Sequence, residues 1–266
     1  MKGYRGIILI ALAMAVSATA TANSRDQAQR IHNRLAGVPA DAATLTEMAQ
    51  LIDNNQVAEA AELAMDNPAF YNVTIKQFAT PWTNEAQDVF APLNDYTATI
   101  IGVVRDDVDF RRILYSDLLY VGNASPAASP SSNAHYQALE DQHADLSTVL
   151  TESSQASQYG TPAEAVAGVL TTRAAANAFF YAGTNRAMLR FTMMNHMCRD
   201  LEQVKDTTRP SDRIRQDVSR SPGGDSRIFR NSCIGCHSGM DPLAQAFAYY
   251  DWEGEQEGNG GRMGYN

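Results

Sequence analysis

Cysteine is scarce in this chain: among 266 residues there are three, Cys198, Cys233 and Cys236. Exported scaffolds stapled by disulfides carry an even and larger number, so a disulfide framework is excluded. Long apolar runs are missing too. Beyond residue 22 none approaches the roughly 20 residues needed to cross a bilayer, so no stable membrane insertion is expected. Strict apolar–polar alternation is sustained nowhere, which predicts little sheet. Positive charge is in deficit, with 21 Lys and Arg against 30 Asp and Glu for a net of −9, and nucleic acid is a poor partner for such a surface. G-x-S-x-G, H-E-x-x-H and P-loop motifs are all lacking, which removes the motif-based cases for a serine hydrolase, a zinc protease and a P-loop enzyme.

What is present begins with a leader. Lys2 and Arg5 precede an apolar run from Ile7 to Val16 and then small residues through Ala22. This is the layout of a signal peptide over residues 1–22, so the mature chain is expected to be exported, in a bacterium to the periplasm. Without Lys2 and Arg5 the basic count falls from 21 to 19 against the same 30 acidic residues, a net of −11. Such a surface favours encounter with a basic or amphipathic partner protein, by steering that salt weakens.

Apolar residues recur at helical spacing through most of the chain. Leu45, Met48, Leu51 and Ile52 form one such face, as do Leu93, Tyr96, Ile100 and Val104, and again Phe110, Ile113, Leu114 and Leu118. Thr161-Pro162-Ala163-Glu164 predicts a helix start, with Thr161 as cap and Glu164 completing a capping box. A stripe of Ala187, Phe191, Met194, Cys198 and Leu201 predicts a helix over 184–201. Residues 122–134 are Gly, Ser, Pro, Asn and Ala with no large apolar side chain, the composition of a linker. They divide an N-terminal helical region, 23–121, from a C-terminal region, 135–266, that holds every cysteine.

Cys-Ile-Gly-Cys-His at 233–237 carries the chemistry. On a helix, Cys233 and Cys236 share a face from which both sulfurs can form thioethers to the vinyl groups of one porphyrin. His237 follows four residues after Cys233 and can turn its imidazole onto the iron. One covalent haem c is therefore the expected cofactor, with His237 as proximal iron ligand. A thioredoxin-like redox pair would need a strand-helix-strand context that is absent. A zinc site of Cys198, Cys233, Cys236 and His237 would need adjacent residues to share one tetrahedral ion. The expected fold is mainly α, an irregular helical bundle with a C-terminal cytochrome c-like haem-binding segment.

Met240 is a tempting sixth ligand but lies three residues after His237, on the same side of the porphyrin, so packing against the proximal face is its expected role. The distal candidates are Met263, in the Gly-rich tail, and His196, which points away from the apolar stripe of its helix. His135 and His143 are weaker candidates. Cys198 is expected to be a buried small hydrophobe. The other ring nitrogen of His237 is expected to donate to a backbone carbonyl of the turn Gly239-Met240-Asp241-Pro242. Between Arg199 and Arg230, eight basic residues face six acidic ones, and one or two of these arginines are candidates to meet the haem propionates.

The order of Gly168-Val169-Leu170-Thr171, a predicted helix ending at Cys198, and C-I-G-C-H-S-G-M-D-P-L-A-Q-A-F resembles the haem module of bacterial planctomycete-type cytochrome domain proteins. Phe110 to Val121 is more weakly similar to another segment of that group. The resemblance implies a c-type cytochrome and carries over Cys233, Cys236 and His237. A mono-haem electron carrier with a protein redox partner is the expected function, rather than an enzyme. The alternatives are a haem enzyme of peroxidase or oxygenase type with an open distal site, or a haem-bearing module of a larger surface complex.

Overall fold

The computed structural model describes residues 23–181, 185–206, 208, 221–256 and 260–266. The leader, and with it the expected signal peptide, lies outside them. The chain divides into two compact units after Phe70.

Among its described residues the first unit has three helices, α1 (Ser24–Leu35), α2 (Ala42–Asp53) and α3 (Val57–Met65). Each of the first two starts where a side chain satisfies a free backbone N–H. Asn23 accepts from Asp26 N at 2.8 Å, and Asp41 accepts from Ala43 N and Thr44 N at 2.8 and 3.0 Å. Those bonds hold the Asp41 carboxyl below its usual range. Ala28, Leu45, Met48, Ile52, Ala60 and Ala64 form the core, so the predicted apolar face of α2 faces inward.

The second unit is built around α4 (Asp95–Arg105), in which every residue from Asp95 to Val103 is buried. A helix covered on all sides occupies the middle of a fold. Its buried Asp95 joins it to α6 (Arg173–Phe179): the carboxylate accepts from Arg173 N at 2.6 Å, from Ala174 N at 3.0 Å and from the Tyr159 hydroxyl at 3.2 Å. Burial raises the Asp95 carboxyl, and these bonds oppose the rise. Beside α4 runs β1 (Leu119–Val121), which pairs antiparallel with β2 (Thr151–Ser153), and α5 (Ala134–Asp141) lies between the two strands in sequence. Then follow α7 (Arg186–Met197), α8 (Ile234–Ala244) and the hairpin of β3 (Tyr250–Glu253) and β4 (Arg262–Tyr265), which pairs Trp252 with Met263. The described residues are thus mainly helical with little sheet.

Three local expectations differ from this arrangement. Phe110–Leu114 is a 3-10 turn leading into β1 rather than a longer helix, and Ala163–Ala165 is one 3-10 turn with no side-chain cap from Thr161. Both stretches are too short to propagate an α-helix, so tertiary packing decides them. Residues 122–134 lie within the second unit and do not mark its boundary. His135, 2 % exposed, donates from Nδ1 to Pro126 O at 2.8 Å and accepts from Gly122 N at 3.1 Å, while Asn133 Nδ2 donates to Leu93 O at 2.8 Å. Side-chain bonds order a segment that has no large apolar residue of its own.

Gly102 of α4 lies directly under the Tyr120 ring, where a Cβ would stand 2.0 Å from a ring carbon. Tyr120 is fully buried and its hydroxyl donates to Asp106 at 2.8 Å, so the ring has nowhere to swing. Overpacking of this kind typically costs about 1–3 kcal/mol, against a gain of roughly 1 kcal/mol in helix propensity. Gly102→Ala is expected to lower the urea midpoint at unchanged slope, and an equal or higher midpoint would contradict this packing.

Candidate functional site

The Cys-x-x-Cys-His stretch stands at the start of α8. A short helical turn, Ser226–Ile228, leads into a wide π turn, Phe229–Cys233, and α8 begins at the next residue. Such π turns are rare and concentrate at functional sites, because the extra residue re-aims the side chains that follow. Cys233 is the N-terminal cap residue of α8, and Cys236 and His237 lie in its first turn. Both thiols are unpaired and half-buried.

The His237 imidazole packs against buried Phe229, with ring centroids 5.3 Å apart. Its Nδ1 lies 3.1 Å from each carboxylate oxygen of Asp241. The expected backbone carbonyl is therefore not the partner. The helix continues through Gly239-Met240-Asp241-Pro242, so its carbonyls face the next helical turn, and the i, i+4 spacing brings the Asp241 side chain under the ring instead. Asp241 is fully buried and also accepts from Arg186 Nε at 2.8 Å. Burial alone would raise its carboxyl, but the bonds from Arg186 and His237 outweigh that and hold it below the ordinary range.

Helix α7 supplies the surface on which this turn rests. Leu189 and Met193 of α7 pack with Met240 and Ala244 of α8, so Met240, 6 % exposed, fills the space between the two helices. On another side the segment after α7 crosses α8 closely. A Cβ at Gly239 would lie 1.8 Å from Val204 O, and Asp206 N donates to Gly235 O at 3.2 Å.

The other candidate ligands are committed elsewhere. The hydroxyl of Tyr96, buried in α4, shares a hydrogen bond with His196 Nε2 at 2.7 Å, and the His196 ring also meets Trp82 edge-on at 5.4 Å. Met263 sits in β4 opposite Trp252 and packs against the main core. His135 is used up by the loop it clamps, and His143 is exposed with a positive φ of 51°. Cys198 also departs from its expected buried place: α7 ends one residue earlier, and Cys198 turns left-handed at φ 51° and is exposed. Of the basic run, Arg209, Arg213, Arg215 and Arg220 lie outside the described residues. Arg199 and Arg230 are exposed, Arg227 pairs with Asp225 at 2.7 Å and Lys205 with Glu202 at 2.5 Å.

The donor set fits a covalently tethered porphyrin. Two unpaired thiols three residues apart open one helix. The adjoining imidazole has Nδ1 engaged by a carboxylate, so Nε2 is the nitrogen available to a metal. Among the described residues no three His, Cys, Asp or Glu side chains group to hold an ion directly. A haem asks less of them, namely two sulfurs on one face and one ring nitrogen. No family model matches the chain, and neither a curated protein nor a solved structure matches it.

Sequence reasoning missed Asp241, Arg186, Phe229 and Gly239. Asp241 carried a signal, its i+4 spacing from His237, which Pro242 obscured by suggesting a turn. Arg186 carried none, because 51 residues separate it from His237 and only the fold brings them together.

Burial pulls the His196 imidazole down to about 4. The unfolded chain's imidazole titrates near 6.5, so between these values the unfolded state holds more protons. The contribution of this residue to stability is therefore present above about pH 6.5 and is lost as pH falls toward 4. An NMR titration of the His196 ring is expected to give a midpoint near pH 4, and a midpoint at 6 or above would contradict its burial against Tyr96.

Proposed function

We propose that this chain is an exported c-type cytochrome that carries one haem, attached through Cys233 and Cys236 and ligated by His237, and that it passes single electrons to or from a partner protein. The observation that carries the reading is the start of α8. There two unpaired thiols adjoin an imidazole whose Nδ1 is held 3.1 Å from a buried carboxylate, with Nε2 left to coordinate. The order of motifs shared with the planctomycete-type cytochrome group supports the same reading. Bound haem would supply a one-electron iron couple. The two thiols would fix the porphyrin edge, while Phe229 and Asp241 would hold the imidazole plane. An acidic mature surface would steer a basic redox partner toward the molecule, with an on-rate that falls as salt rises.

A second reading, a haem enzyme with an open distal position, draws on the commitments of His196 to Tyr96 and of Met263 to the β3–β4 hairpin. With both side chains engaged elsewhere, the sixth position would be left to water or to a small substrate.

Haem-stained denaturing gels test the attachment. Cys233→Ala with Cys236→Ala is expected to abolish retained stain, and stain that survives the double change would overturn the covalent reading. Visible spectra with and without carbon monoxide separate carrier from enzyme. A carrier is expected to give a low-spin six-coordinate spectrum that carbon monoxide leaves unchanged, which requires a sixth ligand other than His196 and Met263 as they are placed here. A high-spin spectrum that carbon monoxide shifts would replace the carrier with the open-site enzyme.

A further inference from the structure

We propose that Asp241, braced by Arg186, is the positioning residue for the iron ligand, and that its carboxylate makes this a haem centre of low reduction potential. The inference rests on the haem reading above and deepens it. A ligating imidazole donates its other N–H to a carboxylate, a carbonyl or water, and that partner fixes ring orientation and tunes how strongly the ligand donates electrons. Here the partner is a carboxylate, a stronger acceptor than a neutral carbonyl, held in a buried ion pair with Arg186. By drawing on the Nδ1 proton it makes Nε2 a stronger donor, which stabilises oxidised iron over reduced.

The geometry leaves the carboxylate no alternative pose. Asp241 is fully buried, so water does not compete for its oxygens. Arg186 Nε holds Oδ1 at 2.8 Å while both oxygens face Nδ1 at 3.1 Å. Arg186 is itself fixed at its root. The preceding residue, Asn185, donates to Tyr250 O at 2.9 Å and to Phe247 O, tying the start of α7 to the chain that leaves α8. The hydrogen bond is thus supported from two helices, and it is stronger in this shielded place than it would be in water.

Asp241→Asn keeps the shape and an oxygen acceptor but removes the charge. In the full chain loaded with haem, a redox titration followed in the visible spectrum is expected to move toward reduced iron. At one fixed solution potential the reduced-to-oxidised ratio should rise about tenfold, roughly 59 mV for a one-electron couple. A ratio unchanged within a factor of two would overturn the role of the carboxylate. NMR of the unaltered oxidised protein gives a second measurement that needs no variant. The His237 ring N–H should exchange slowly with solvent, as a fully buried acceptor requires, and immediate exchange would overturn the contact. Haem stain on a denaturing gel keeps the two proposals apart. A parent band without stain sinks the haem reading and this inference together, whereas a stained parent with an unmoved potential sinks this inference alone.

Discussion

Two buried charges, Arg186 and Asp241, join α7 to α8, and the arrangement of the C-terminal part of the second unit depends on that pair. Removing a carboxylate and a guanidinium from water costs several kcal/mol for each ion, and their attraction offsets this only when the geometry is good and the remaining lone pairs are used. A well-packed apolar pair at the same place would stabilise the helix contact as well or better. A pair that adds little stability makes physical sense where one of its members has another task. Asp241 has such a task in holding the Nδ1 side of His237, and Arg186 keeps the carboxylate charged and in place while it does so.

The same constraint accounts for the shape of the neighbourhood. For Arg186 to reach Asp241, α7 must lie close along α8, and Leu189, Met193, Met240 and Ala244 fill the contact with flexible or small side chains that suit an irregular gap. The segment after α7 then has to pass over α8 within van der Waals distance of its backbone. Gly239 permits this because any Cβ there would run into Val204 O. Read along the sequence, Ser-Gly-Met-Asp after the histidine therefore includes three separate contacts of α8. Ser238 is buried, Gly239 admits the crossing chain, Met240 packs on α7 and Asp241 orients the ring.

How much of this was legible follows from the range of each contact. The Cys-x-x-Cys-His spacing and the helical faces of α2 and α4 are local, and periodicity reads them directly. The Asp241 contact is local too, yet Pro242 beside it suggested a turn, where in fact α8 runs through the proline to Ala244. Proline removes its own N–H and crowds the carbonyl four residues back, that of Ser238, and here α8 ends two residues later, so the disturbance stays in its last turn. Residues 122–134 show the opposite case. Their composition is that of a linker, and what orders them is His135, which clamps Gly122 and Pro126 within the segment, and Asn133, which reaches Leu93 on a distant stretch of chain. The exposure of Cys198 depends on where α7 stops, and helix ends are set by local capping rather than by the stripe that predicts the helix.

A one-electron centre works best when its ligands need not move between redox states, because any rearrangement adds to the barrier for transfer. The proximal side proposed here meets that requirement by construction. His237 lies between the Phe229 ring and the Asp241 carboxylate, Asp241 is fixed by Arg186, and Arg186 is fixed through Asn185 to the chain that follows α8. Each member is held by a group that is itself held, so the imidazole is preorganised in the sense that a precise site demands. Such bracing serves a carrier directly. In an open-site enzyme the same carboxylate would instead add electron density opposite the substrate. In the proposed haem centre the proximal half would set how strongly iron is pushed toward its oxidised form, and the distal half would decide what that push is used for.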